Sequence, residues 1–248
     1  MNAPGAANAY DPFAQVYDRH WGWFSQNSLE VLSVLLLPRL QHGARVLDLC
    51  CGAGHVTGRL AELGLDVVGL DGSREMLIYA LRNAPGVPFL QADARLFGLR
   101  QSFDAVVSTF DSLNHVLTSS ELDAVFMSVR TCLRPGGTFL FDLNTHEGYL
   151  KHWGGSTLIP GDGYTVSTWS SYDPGRRIGM FRAEIRVGIG SDERTQMVEL
   201  WQKHHQDRRV RAGLKSAGFQ RIEVYGSEDG GLVQGHLEQA ERVFYLCR

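Results

Sequence analysis

The stretch RVLDLCCGAGHVTGRLAELG at residues 45–64 decides the fold. An apolar run leads through Asp48 to two cysteines, and Gly52 and Gly54 then open a segment whose apolar residues have helical spacing. Glycines in a turn between a strand and a helix let the main chain approach a ligand, and the helix N-terminus presents free N–H groups to it. The stretch therefore predicts a strand, a ligand-binding turn and a helix.

The same alternation of strand and helix continues to residue 144. Short apolar runs typical of parallel strands lie at 45–50, 66–71, 87–92, 103–109 and 137–143. Apolar residues recur at three- and four-residue spacing in predicted helices at 55–63, 73–83 and 119–133, and in an earlier helix at 28–40. With two closing strands near the C-terminus, this pattern predicts an α/β fold with a Rossmann-like, doubly wound, mostly parallel seven-stranded sheet.

The pattern changes after residue 144. Three β-rich runs separated by tight-turn sequences predict a small antiparallel insert, at 164–173, 177–189 and 195–205. A helix at 208–219 and strands at 220–226 and 241–248 should close the fold around a mobile loop at 227–239. We therefore divide the chain into an N-terminal helical lid segment, a ligand-binding Rossmann-like core, the antiparallel insert, and the closing helix and strands, at 1–44, 45–144, 145–206 and 207–248.

The composition argues against several classes of partner. The formal net charge of −3 provides no basic surface for nucleic acid. No apolar run approaches the roughly 20 residues of a membrane span, and the N-terminus lacks the features of a signal peptide, so we expect a cytoplasmic protein without a membrane partner. The cysteines and adjacent histidines fit neither a disulfide framework nor a metal site: Cys50, Cys51, Cys132, Cys247, His204 and His205.

A second acidic residue indicates what the glycine turn binds. Asp71 ends the next strand, about 20 residues after the turn, where a carboxylate can accept both ribose hydroxyls of an adenosine-type ligand. NAD is one such ligand, but the dinucleotide pattern G-x-G-x-x-G has Thr57 at its third glycine position, and Gly58 comes one residue late. No tyrosine is followed four residues later by a lysine. An NAD-dependent oxidoreductase is therefore the weaker alternative.

Five segments in order resemble the motifs of the class I S-adenosylmethionine-dependent methyltransferases. They are VLDLCCGAGH at 46–55, VVGLDGSREML at 67–77, PFLQADARLF at 88–97, FDAVVSTFDSLNHV at 103–116 and LRPGGTFLFDLN at 133–144. The resemblance covers roughly residues 10–144 and the closing strands. It implies S-adenosylmethionine as the cofactor. The chain departs from the first motif at Cys50, where many members carry glycine.

The resemblance also implies a cofactor-binding role for individual residues. Asp71 is the ribose acid, Met76 packs near the adenine, Asp93 accepts from the adenine amino group and Ala94 donates its backbone N–H. From the residues alone, Asp48 and Asp93 also fit structural roles as turn or helix caps. The implied cofactor-binding set is Tyr17, Asp48, Cys50, Gly52, Gly54, Asp71, Gly72, Met76, Asp93, Ala94 and Thr109.

The N-terminal segment AYDPFAQVYDRHWGW at 9–23 resembles the entry segment of small-molecule N-methyltransferases, including enzymes that dimethylate nucleotide-linked amino sugars. The resemblance implies that Tyr10 lines the acceptor site and that Tyr17 contacts the cofactor carboxylate. DSLNH at 111–115 resembles a segment of that group, and Asn114 stands where the group has glycine. The resemblance places His115 at a functional position. A histidine titrates near neutral pH and suits proton removal, although a packing or capping role for His115 stays equally open.

We therefore expect methyl transfer to a small molecule, to an amine or possibly a hydroxyl, with His115 and Tyr10 as catalytic residues. The insert should roof the acceptor site or contact a second subunit of a homodimer, and a monomer is the alternative. A regulatory or degenerate protein that binds the cofactor without transferring a methyl group is also open. The candidate substrate-binding residues are Asp111, Asn114, Trp169 and Trp201, with Tyr172 and Arg182 as further candidates in the insert.

Overall fold

The computed structural model describes residues 9–100, 102–188, 194–228, 231–234, 237 and 239–248. Within these residues the strands are β1 (Arg45–Leu49), β2 (Asp66–Asp71), β3 (Phe89–Gln91), β4 (Phe103–Ser108), β5 (Leu133–Asn144), β6 (Gly155–Gly161), β7 (Tyr164–Asp173), β8 (Ile178–Val187), β9 (Arg194–Lys203), β10 (Ile222–Glu228), β11 (Gly231–Gln234) and β12 (Arg242–Cys247).

The helices of the same residues are α1 (Ala14–Trp21), α2 (Phe24–Leu35), α3 (His55–Glu62), α4 (Arg74–Asn83), α5 (Ser119–Cys132), α6 (His146–His152) and α7 (Asp207–Ser216). Short 3₁₀ turns lie at Asp11–Phe13, Leu37–Arg39 and Ser112–His115. The side chains of Ser73 and Thr118 accept hydrogen bonds from the first turns of α4 and α5. These N-caps fix where both crossover helices begin.

The main sheet has the strand order β11-β10-β12-β5-β4-β1-β2-β3. Strands β1 to β5 pair in parallel, and β12, β10 and β11 extend the sheet beyond β5 with antiparallel pairing. The order reverses between β1 and β4, which is the switch point where open α/β sheets bind ligands beyond the carboxyl ends of their strands. The predicted doubly wound fold is confirmed, and the glycine turn lies at this switch point.

The sheet has eight strands where seven were expected. Gly231–Gln234 pairs antiparallel with β10, which itself extends to Glu228, so the prediction of a loop throughout 227–239 is wrong for residues 227–228 and 231–234. The polar residues around them obscured a short hairpin strand. Residues 229–230, 235–236 and 238 of the predicted loop lie outside the described residues.

The insert forms a separate four-stranded antiparallel sheet in the order β6-β7-β8-β9. The three β-rich runs expected there correspond to β7, β8 and β9, whereas β6 and α6 were not predicted. The run around β6 is rich in glycine and contains Pro160, a residue that strands tolerate mainly at a sheet edge, where β6 lies. The pattern therefore looked like a loop.

The small sheet packs against the N-terminal segment. Its buried residues, among them Val166, Ala183 and Leu200, form one apolar cluster with Phe13 and Val16. Together, the N-terminal segment and the small sheet lie over the carboxyl ends of the main strands. No helix within the described ranges is long and apolar enough to cross a membrane.

Candidate active site

A large cavity opens at the carboxyl ends of the parallel strands, beneath the N-terminal segment and the small sheet. Its volume is about 1360 Å³, with Gly52 and Asp71 on its wall from the main sheet and Thr168 and Gln202 from the small one. Pockets for one ligand usually occupy roughly 300–1,000 Å³. The cavity therefore has room for two molecules side by side.

The glycine turn forms one end of this cavity. Cys50, Gly52 and Gly54 all have positive φ angles of 61°, 53° and 77°. A Cβ on Gly54 would lie 2.9 Å from atoms of Ala80, so both the conformation and the space demand glycine there. Cys50 adopts a conformation that glycine favours, which explains physically why a glycine is common at this position of the motif. Burial raises the pKa of the Cys50 thiol, so it stays protonated.

Asp71 connects the two turns that follow β1 and β2. Its carboxylate accepts the N–H groups of Gly52 and Ser73, each at 2.8 Å. Burial raises the pKa of Asp71, while these backbone donors oppose the shift. Asp71, Gly72 and Met76 line the cavity together, and their contact with a cofactor stays a prediction.

Asp48 lies below the turn and is 2% exposed. Its Oδ2 accepts the hydroxyl of Thr57 at 2.6 Å, and burial raises the pKa of its carboxyl to about 7. It lies with Thr109 on a small side pocket next to the main cavity. In this structure Asp48 holds the first turn of α3 against β1, which is the structural role that its sequence position also allowed.

Asp93 and Ala94 lie on the cavity wall beyond β3. The Asp93 carboxylate contacts the guanidinium of Arg95 at 2.6 Å, and this hydrogen bond keeps the pKa of Asp93 below its usual value. Asp93 also accepts the N–H of Arg95 at 2.8 Å, as a capping residue would. Arg95 in turn contacts Glu121 at 2.5 Å.

Tyr10 and His115 meet in the middle of the cavity. The Tyr10 hydroxyl lies 2.9 Å from His115 Nε2, and His115 Nδ1 lies 2.9 Å from the carbonyl oxygen of Trp201. A carbonyl oxygen only accepts, so Nδ1 carries the proton, and Nε2 offers a lone pair to the Tyr10 hydroxyl. Burial lowers the pKa of His115 and raises that of Tyr10, so both side chains are neutral. The sequence named both residues, and the structure brings them into contact.

A buried polar network extends from His115. Gln202 donates to Asp111 at 2.5 Å and lies 3.1 Å from His115 Nε2. Arg242 contacts Asp111 at 2.7 Å and also contacts Asp142. Phe110 and Asp111 have φ angles of 63° and 49°, values that are uncommon for residues other than glycine. The network holds this strained turn at the end of β4.

Sequence reasoning missed three members of the network: Gln202, Arg242 and Asp142. Gln202 faces the cavity because alternate residues of β9 do so, and Arg242 begins the last strand, beside Asn144 of β5. Only the antiparallel placement of β12 against β5 brings Arg242 to the active end of the sheet. The one available signal was the charge of Arg242 beside an otherwise apolar strand.

Five of the residues expected to contact the acceptor are not on the cavity wall: Asn114, Trp169, Tyr172, Arg182 and Trp201. Trp169 and Trp201 lie on strands whose neighbours Thr168, Ser170 and Gln202 face the cavity, so their side chains point to the opposite face of the small sheet. Trp201 contributes only its backbone carbonyl. Asn114 is fully buried, where its side chain donates to the Lys203 carbonyl at 2.8 Å and accepts the Asn144 N–H at 2.9 Å. Placing these five side chains in the cavity was wrong.

Five aromatic rings pack together on the cavity wall, and we call them the aromatic wall: Tyr10, Phe13, Tyr17, Trp21 and Phe181. Their contacts include ring centroids 5.2 Å apart for Phe13 and Trp21 and 5.8 Å apart for Phe13 and Phe181. Tyr17 lies nearest the glycine turn, since a Cβ on Gly52 would be 3.7 Å from its ring. Across the ranges described above, no group of three metal-ligating side chains is present.

Comparisons with known proteins agree with this geometry. A family model described as a methyltransferase domain matches residues 46–137. A putative methyltransferase of Bacillus subtilis is 35% identical over 66% of this chain and 66% of its own length. The crystal structure of Streptomyces venezuelae DesVI has a TM-score of 0.73 and 22% identity, covering 99% of this chain and 98% of that one, which is a likeness of fold. Residues 46–137 are therefore a methyltransferase domain, and the chain is a methyltransferase with the class I S-adenosylmethionine-dependent fold.

A further relative has a name that states its substrate. The dTDP-3-amino-3,4,6-trideoxy-alpha-D-glucopyranose N,N-dimethyltransferase of Streptomyces venezuelae is 33% identical over 54% of this methyltransferase and 56% of its own length. The alignments to these two curated relatives thus span just under two thirds and about half of their lengths. S-adenosylmethionine is the cofactor of the family to which this methyltransferase belongs.

The raised pKa of Asp48 predicts a measurable pH dependence of stability. A carboxyl whose pKa rises from about 4 in the unfolded chain to about 7 in the folded one stabilises the fold most below pH 4, and this stabilisation is lost as the pH rises to 7. Asp48→Asn keeps an acceptor for Thr57 and removes the titration. In denaturant unfolding, the free energy of unfolding of the variant should rise by on the order of 1–3 kcal/mol relative to that of the wild type between pH 4 and pH 7.5.

The matched control is Asp66→Asn, which changes an exposed carboxylate at the start of β2. Its stability relative to the wild type should change little over the same pH range. A parallel pH dependence for wild type and Asp48→Asn would show that the buried carboxyl does not titrate as described.

Proposed function

We propose that this methyltransferase transfers a methyl group from S-adenosylmethionine to the nitrogen of a small-molecule amine. The observation that carries the proposal is the hydrogen bond between Tyr10 and His115, which lies in the cavity between the glycine turn and the small sheet. An amine needs a free lone pair on its nitrogen to attack a methyl group. The Tyr10–His115 pair offers a route for the proton that the ammonium form must lose. The amino-sugar relative, named as an N,N-dimethyltransferase, supports the choice of nitrogen.

The residues at the glycine turn fit the cofactor. The main chain at Gly52 is open to the cavity, and the Asp71 carboxylate beside it can accept hydroxyl groups of a ribose. Tyr17 and Met76 supply apolar surface on either side of the turn. When bound, S-adenosylmethionine supplies an electrophilic methyl group. The protein must then hold the acceptor in line with that group and remove its proton.

The proton leaves through two side chains of this chain. An ammonium N–H of the acceptor donates to the Tyr10 oxygen, and the Tyr10 hydroxyl proton passes to His115 Nε2. His115 Nδ1 keeps its hydrogen bond to the Trp201 carbonyl, which fixes the tautomer and the ring orientation. The negative charge of Asp111 favours the imidazolium that forms and partly offsets the effect of burial on the pKa of His115.

The small sheet covers the acceptor in this proposal. Thr168, Ser170 and Gln202 point from it into the cavity, and they offer hydroxyl and amide groups to polar parts of the acceptor. The N-terminal segment closes the same space through Tyr10 and Phe13. Binding therefore excludes water from the reacting atoms.

The first prediction concerns the cofactor. Titration calorimetry should show that the wild type binds S-adenosylmethionine and its demethylated product and does not bind NAD. Asp71→Asn removes the charge while keeping one acceptor, and it should weaken cofactor binding by on the order of 1–3 kcal/mol. Asp66→Asn, at the other end of the same strand, should bind as the wild type does. Tight binding of NAD without S-adenosylmethionine would refute the cofactor assignment.

The second prediction concerns the base. Burial lowers the pKa of His115, so it is neutral and able to accept a proton at pH values above that lowered pKa. Log kcat, measured where methyl transfer limits the rate, should rise at low pH and bend below the usual histidine pKa of about 6.5. His115→Asn should remove this bend, and the rate should then rise toward the pKa of the free amine, roughly 10 for an aliphatic amine. Tyr10→Phe should have the same effect, because it interrupts the proton route.

A second tyrosine–histidine hydrogen bond provides the control. Tyr164 and His20 lie 2.7 Å apart and are not on the cavity wall. Tyr164→Phe should retain the wild-type pH profile. If His115→Asn and Tyr10→Phe also retain it, losing only a constant factor in rate, the two residues position the acceptor without moving its proton.

A further inference from the structure

We propose that the acceptor is an amine that enters the cavity as a cation and carries no phosphate group. The inference rests on the proposed function and narrows its acceptor. It separates this methyltransferase from the relative whose name specifies a dTDP-linked sugar. The argument comes from the charges, the unused hydrogen-bonding groups and the aromatic rings of the cavity wall.

The cationic side chains of the described cavity wall are already paired. Arg242 contacts both Asp111 and Asp142, and Arg95 contacts both Asp93 and Glu121. Each guanidinium thus meets two carboxyl groups, and neither cluster carries excess positive charge. Recognition of a buried diphosphate uses arginine or lysine side chains whose charge is free to face it.

The remaining cationic candidates on the wall are histidines. His152 Nε2 lies 2.7 Å from Glu241, and that carboxylate also contacts Lys151. His115 has its pKa lowered by burial, and its Nε2 lone pair faces the Tyr10 hydroxyl. Neither histidine offers unpaired positive charge to a phosphate.

Helix N-termini could also bind a phosphate, but those of α3 and α4, which follow the turns after β1 and β2, are committed elsewhere. The N-terminus of α3 follows the glycine turn at the cofactor end of the cavity. The N-terminus of α4 is occupied by Asp11, whose carboxylate accepts the Ser73 hydroxyl at 2.5 Å. That carboxylate also lies 3.4 Å from the Glu75 N–H. A protein carboxylate thus fills the position that an anionic ligand would take.

The wall also carries a buried acceptor atom that no side chain uses. Oδ1 of Asp142 is buried and has no hydrogen-bond partner among the described residues. A phosphate group offers mainly further acceptors to such a wall, whereas an ammonium group offers three donors.

The aromatic wall suits a cation directly. Tyr10, whose hydroxyl lies on the proposed proton route, packs edge-on against Tyr17, and Phe13 links both to Phe181. An ammonium near the Tyr10 oxygen would lie beside these rings, and attraction between a cation and a ring face is strongest where water is excluded. The same rings would disfavour a dianionic phosphate.

Three probes of different charge test the inference on protein saturated with S-adenosylhomocysteine. They are 2-phenylethylamine, 2-phenylethanol and thymidine diphosphate, and titration calorimetry measures each affinity. The amine should bind at least tenfold more tightly than thymidine diphosphate and more tightly than the alcohol. Thymidine diphosphate binding as tightly as the amine, an amine no better than the alcohol, or no binding by any of the three would overturn the inference.

A variant of the aromatic wall isolates the contribution of the rings. Phe181→Leu keeps an apolar side chain and removes the ring, so affinity for the amine should fall by about 3- to 30-fold while affinity for the alcohol changes little. Phe89→Leu, on the far edge strand β3 and away from the cavity wall, should leave both affinities unchanged. Equal losses for amine and alcohol in Phe181→Leu would mean that the ring only packs.

A turnover experiment separates the inference from the proposed function. Labelled S-adenosylmethionine is offered with 3-amino-3-deoxy-D-glucose and with the same amino sugar linked to dTDP, and kcat/KM is compared. A preference of at least tenfold for the free amino sugar supports the inference. A preference for the dTDP-linked form overturns it and leaves amine methylation standing. Transfer to neither sugar nor to 2-phenylethylamine, by protein that binds the cofactor, counts against the proposed function itself.

Discussion

The active end of this methyltransferase depends on one buried ion cluster. Arg242 reaches from the last strand of the sheet to Asp111 after β4 and to Asp142 near the end of β5. Breaking such a cluster would leave buried charge uncompensated, which is strongly unfavourable. The cluster therefore fixes the strained turn at Phe110 and Asp111, whose backbone conformation is costly without external support.

The turn transmits this constraint to the reacting groups. Asp111 accepts from Gln202, and Gln202 lies against His115, so one network joins the main sheet to the small sheet. Tyr149 donates to Gln202 at 2.8 Å and supports it from below. Tyr10 approaches from the N-terminal segment. The main sheet, the small sheet and the N-terminal segment thus meet at the imidazole ring of His115. The insert and the N-terminal segment become parts of the active site in this way.

Much of the fold was predictable because it follows local patterns. The parallel strands are apolar runs between amphipathic helices, and the glycine turn needs conformations and close approaches that few residues allow. The strand β11 was not predicted because its pairing with β10 depends on the tertiary structure, and its polar neighbours suggest a loop. The strand β6 escaped for a similar reason, since glycine and proline dominate its segment.

The site was predictable only where a motif or a resemblance marked it. Tyr10 and His115 are 105 positions apart, and the resemblance marked each of them separately, whereas their hydrogen bond appears only in the structure. Trp169 and Trp201 are large aromatic residues that were expected to contact the acceptor. The face of the sheet to which a strand residue points depends on the register, and both side chains point away from the cavity. Gln202 and Arg242 belong to no motif. Their importance appears only once the small sheet and β12 are in place.

The most direct test of this account is a crystal structure of the protein with S-adenosylhomocysteine bound. Because a reacting nitrogen must contact both the Tyr10 oxygen and the transferred methyl group, the sulfur should lie within roughly 7 Å of that oxygen. The ribose hydroxyls should contact the Asp71 carboxylate, and the Tyr10–His115 hydrogen bond should persist. A ligand ordered with its sulfur remote from Tyr10 and His115, or with its ribose away from Asp71, would contradict the account.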